Sequence, residues 1–78
     1  MPAESALDEM LKMIKRRALE IAVLPAEQRE GRYEMIHDAT RRASIRIGQG
    51  EDEAVSTATS ITRFVRAIVS IMDAGARR

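Results

Sequence analysis

No cysteine occurs among the 78 residues, so neither a disulfide nor a thiolate metal site can supplement whatever core the chain builds. Tryptophan is missing too, and one Tyr and one Phe leave aliphatic side chains, Ala and five Met to fill the interior. A chain this short buries only a little over about 60% of the surface its unfolded form exposes. No apolar run approaches the roughly 20 residues needed to span a bilayer. The opening MPAESALDEML starts on acids rather than on the basic and then apolar stretch of a secretory leader. The expectation is a cytoplasmic protein, and the absence of cysteine fits a reducing compartment. An excess of charge is lacking as well: thirteen Lys and Arg against twelve Asp and Glu leave a net +1. A nucleic-acid binder of this size usually carries a clear basic excess, so the balance argues against that role.

What is present is helical periodicity. Between Glu51 and Asp73, apolar residues recur at Ala54, Ala58, Ile61, Val65, Ile68 and Met72, in steps of four and three that trace one face of a helix. Val55, Thr62 and Val69 flank that stripe on one side, Phe64 and Ile71 on the other. The apolar arc is therefore wider than the roughly 100° needed to face a single core. Earlier in the chain, Leu7, Met10, Leu11, Ile14, Ala18, Ile21 and Ala22 form a narrower stripe, with Ser5 as candidate N-cap and Pro25 ending the helix at Leu24. A sparser pattern follows: Tyr33, Ile36, Thr40, Ala43 and Ile47, with Met35 and Ala39 nearby. Gly31 opens the prospect of a break within it, and Gly48 is a natural left-handed C-cap. Gly75 should end the last helix, leaving Ala76, Arg77 and Arg78 as a frayed tail. The chain thus reads as one all-α domain over residues 1–78, with helices at about 5–23, 26–47 and 51–74. Short loops favour an up-down-up arrangement with a long apolar C-terminal helix.

Reaction chemistry is not visible. His37 is the only histidine, so no second imidazole exists for a metal site, and its place beside Tyr33 and Asp38 suits a hydrogen-bonded boundary role. Glu51, Asp52 and Glu53 lack the alternating ligands and turn glycine of a calcium loop, and match the dipole at a helix start. No catalytic, cofactor-binding or metal-ligating residue is assigned, and an enzyme is not expected. Basic faces at Lys12, Lys15 and Arg16 and at Arg41, Arg42 and Arg46 raise an alternative, a small DNA-binding transcriptional regulator. The acidic joint GQGED and the apolar helix after it count against a helix-turn-helix.

The wide apolar arc of the last helix admits two readings. Full burial at the centre of the bundle is one. An exposed strip used for self-association or for gripping another protein is the other, and is preferred, because two short helices offer little to cover both flanks. Its anchors would be Ile61, Phe64, Val65, Ile68 and Ile71, with Arg63 and Arg66 on the rim. Eleven of the thirteen basic residues are Arg, the cation favoured at protein interfaces.

The run RYEMIHDATRRASIRIGQGEDEAVSTATSITRFVRAIVSIMDAG, from Arg32 to Gly75, spans a little over half of the chain. Together with the size and the cysteine-free helical make-up, it resembles the small rhizobial quorum-sensing antiactivators of the QseM type. The run is not a spaced motif, so no functional residue is carried over position by position. The resemblance implies a protein that binds and inhibits transcriptional activators by protein–protein contact. In that family these are LuxR-type regulators that sense acyl-homoserine lactones and activators of integrative-element transfer.

Overall fold

A computed structural model describes the backbone of residues 3–76 and the side chains from residue 7 onward. The described residues form three helices, α1 (Ala3–Ala22), α2 (Ala26–Arg46) and α3 (Glu51–Ala76), and no strand. The all-α, three-helix architecture read from the sequence is the observed one. None of these helices is long and apolar enough to cross a membrane.

The helix ends follow local chemistry. Pro25 has a polyproline-like backbone (φ −57°, ψ 148°) and stands at the N-cap of α2, its carbonyl accepting from Gln28 N–H at 3.0 Å. The chain closes α2 with Gly48 at φ +110°, the left-handed region that glycine enters without a Cβ penalty. Gly48 N–H donates to the Ile45 carbonyl and Gln49 N–H to the Ser44 carbonyl, both at 3.0 Å, so these two carbonyls near the end of α2 are satisfied within the turn. Gly50 then accepts from Ala54 N–H at 2.8 Å and starts α3.

Two expectations are corrected here, and the open question of Gly31 is answered. α1 begins at Ala3, so Ser5 lies within its first turn rather than at the cap. α2 runs unbroken through Gly31, because a helical glycine costs only about 1 kcal/mol and neighbouring turns hold the backbone. α3 continues through Gly75 to Ala76; Arg77 and Arg78 lie outside the described residues. Gly31 within α2 and Gly48 in the turn after it lead to opposite expectations. A Cβ at Gly31 or Gly48 would meet open space, so backbone conformation alone decides. Gly31→Ala should stabilise the domain by about 0.5–1 kcal/mol, and Gly48→Ala should destabilise it by about 1 kcal/mol or more. Urea midpoints of the two variants check both signs.

Packing explains the rest. α3 lies against both α1 and α2, while α1 and α2 barely meet. The Cα envelope is 43 × 29 × 14 Å, flatter than three helices packed in a closed triangle at 8–10 Å spacing would be. The core is correspondingly small: Ile14, Ala18 and Ile21 of α1, Tyr33 of α2, and Val65 and Val69 of α3. Where α2 ends and α3 starts, small residues (Ser44, Ala54 and Ala58) are buried. Val65 is fully buried, on the line of α3 that faces both neighbouring helices at once, and so does not lie on an outer strip.

Polar staples tie the helices together. Arg29 donates to Asp73 through Nη1 (2.6 Å) and Nη2 (3.2 Å), and to the Ala22 and Leu24 carbonyls at 2.9 and 3.1 Å. One guanidinium thus caps α1, anchors α2 and holds the end of α3. Arg66 of α3 makes a bidentate pair with Glu30 of α2, both contacts at 3.0 Å, and lies 4.0 Å over the Tyr33 ring. The hydrogen bond from Arg66 holds the Glu30 carboxyl below its ordinary range. Burial pushes the Tyr33 phenol up, against the pull of Arg66 and Arg29. At the other end, Arg41 meets Glu51 at 3.1 Å and Asp38 at 3.2 Å.

Candidate interaction surface

The seven residues selected from the sequence divide into three sets. Arg63, Phe64, Ile68 and Ile71 stay together and, with Ser60 and Ala67, form a shallow apolar depression on the outer flank of α3. Phe64 is 49% and Ile71 71% exposed, whereas Ile61, Ile68 and Met72 on the neighbouring line of α3 are partly buried against the core. Ile61 and Val65 belong elsewhere, Ile61 half-buried between α1 and α2 and Val65 in the core. Arg66 is held on the α2 side by Glu30 and Tyr33, away from the Phe64 flank. α3 is therefore both central and partly bare, and the two sequence readings each describe one of its faces.

A second surface escaped the sequence. Because α1 and α2 diverge, they leave between them a groove of about 410 Å³ with Ile61 and Val65 of α3 as its floor. Met13, Ile14 and Ile21 form the α1 wall; Met35, Ile36, Ala39 and Ala43 form the α2 wall. Arg17 and Glu20 on one rim form an ion pair at 3.1 Å, and Arg32 stands on the other. The signal in the sequence is the second apolar edge of α2, where Met35 and Ala39 lie beside the stripe through Tyr33, Ile36, Thr40 and Ala43. Ile47, read as part of that stripe, is exposed, and Ser44 is buried in its stead.

The apolar surface left bare is large. Leu7, Met10, Met13, Met35, Phe64 and Ile71 are all exposed. The chain presents 5891 Å² to solvent, where a compact 8.7 kDa monomer presents about 4,700 Å². The excess, polar and apolar area together, fits an open layer of helices rather than a closed bundle.

Other candidate chemistry finds structural partners. His37 Nε2 lies 3.2 Å from Thr59 Oγ1 across the α2–α3 joint. Among the described residues, no group of three or more His, Asp or Glu is placed to hold a metal ion. Of the six basic residues proposed for DNA, Lys12 pairs with Glu9 (3.7 Å), Arg42 with Asp38 (2.6 Å) and Arg41 with both Asp38 and Glu51. Half of that basic set is thus neutralised by adjacent carboxylates, which favours the apolar surfaces over a phosphate-binding face. No protein-family model, curated protein or solved structure matches this chain.

Proposed function

We propose that the protein is a binding module that grips another protein through its bare apolar surfaces, acting in the cytoplasm as an antiactivator of transcriptional activators. The observation that carries the binding role is the groove between α1 and α2, an apolar concavity on a molecule whose surface is larger than its mass calls for. Apolar grooves between helices are natural receptors for an amphipathic helix of a partner. The Phe64–Ile71 strip offers a second contact on the outer flank of α3. The choice of a transcriptional activator, of the LuxR type or one controlling transfer of an integrative element, rests on the resemblance of Arg32–Gly75 to the QseM-type antiactivators.

Two double variants test the reading. Met13→Asp with Met35→Asp charges the groove, and Phe64→Asp with Ile71→Asp charges the strip. All four side chains are exposed, so both variants should retain the helical circular dichroism of the parent. The tagged chain should capture a transcriptional activator from its native host and silence a reporter driven by that activator. Charging the groove should weaken capture at least about tenfold, as expected when apolar anchors are replaced by carboxylates. Undiminished capture by both folded variants would move the contact elsewhere. A captured protein with no role in transcription would leave a binding module and end the antiactivator reading.

A further inference from the structure

The two long edges of α2 differ in charge. Glu27, Glu30, Glu34 and Asp38 all fall, by helical spacing, on the side away from the groove. There Glu30 pairs with Arg66, and Asp38 with Arg41 and Arg42. The groove-side edge reads Arg32, Ile36, Ala39, Ala43 and Arg46, with no acid among them. Arg32 lines the groove, and Arg46 continues the same edge about 21 Å further along at 1.5 Å per residue. Among the described residues neither meets a carboxylate, whereas the basic residue of the opposite rim, Arg17, is already matched by Glu20. The groove therefore combines an apolar floor with one uncompensated basic edge.

We infer that the groove's occupant is an acidic amphipathic helix of a partner protein, about four turns long, whose apolar face fills the groove while carboxylates along one flank meet Arg32 and Arg46. This inference rests on the protein-binding reading above and specifies the partner's chemistry. Apolar contacts supply the affinity. The Arg edge sets orientation and selects against basic helices, since like charges across an interface are penalised.

The probe is a synthetic amphipathic peptide of four turns, Leu at i, i+3, i+4 and i+7 with Glu on the flank, beside a twin in which every Glu is Lys. Each is titrated into the ¹⁵N-labelled full chain, with affinity from calorimetry and location from the amides of Met35, Ala39 and Ile61. The acidic peptide should shift those amides and bind at least about tenfold tighter than its twin at low salt, two surface ion pairs each contributing several-fold. Added salt should narrow the difference, and Arg32→Glu with Arg46→Glu should reverse it. Equal affinity of the two peptides at the groove overturns the charge inference and leaves the protein-binding reading intact. Binding that leaves the groove amides unmoved, or no binding while the native partner is still captured, overturns the inference by removing the groove as the site. A free chain that sediments as a dimer with those amides protected overturns it in favour of a second copy.

Discussion

Val65→Asp should leave the chain unfolded, whereas Ile71→Asp, on the same helix, should leave its circular dichroism and melting temperature close to those of the parent. The sequence ranks the two positions alike: both are β-branched and apolar, and both lie within the arc of α3. Their surroundings separate them. Val65 is 0% exposed, sharing the core with Ile14, Ala18, Ile21, Tyr33 and Val69, while Ile71 is 71% exposed. None of those core neighbours carries a formal charge, so an aspartate there would be buried without a partner. An uncompensated buried charge costs several kcal/mol or must be neutralised by a shifted pKa. A 78-residue domain has about 4–12 kcal/mol of stability in all, so one such penalty is enough to abolish folding. A Val65→Asp chain with parental helicity and a cooperative melt would mean that α3 is not seated as described.

Thr62→Val should raise stability by about 1–2 kcal/mol, from the relief of a buried hydroxyl. Thr62 is the polar member of the flank formed with Val55 and Val69, and it is buried. Its Oγ1 reaches no hydrogen-bond partner among the described residues. Valine keeps the β-branched shape and removes the polar atom, so packing is retained while the desolvation penalty disappears. Chemical denaturation reads the difference directly. A midpoint equal to or below the parent's would mean that the hydroxyl finds a partner in solution and contributes to the fold.

The helices themselves were legible in the sequence because their determinants are local. Pro25 restricts Leu24, Gly48 supplies the left-handed turn, and the spacing of Ile14, Ala18 and Ile21 marks a face whatever that face later meets. The prospective break at Gly31 did not occur, since an unfavourable propensity of about 1 kcal/mol is small beside that of the turns on either side. The candidate surface was legible only in part. Phe64 and Ile71 stand out in the sequence because they widen the arc of α3 beyond a single core. Spacing along one helix does not separate Val65 and Arg66 from them, because it does not reveal which neighbour stands on which side. The groove of Met13, Met35 and Ala39 was missed for the same reason.

The sequence by itself determined the number of helices, their near-exact limits and the absence of a cysteine-based scaffold, all of which follow from periodicity, turn chemistry and composition read along one chain. Only the tertiary structure decided that α1 and α2 stand apart on α3, that Val65 is core while Ile71 is bare, and that Arg66 is held by Glu30 while Arg32 faces a groove. Those outcomes depend on where each helix rests against the others. That choice is set by residues distant in sequence, such as Arg29 and Asp73 or Ile21 and Val65, whose contacts leave no periodic trace in either segment.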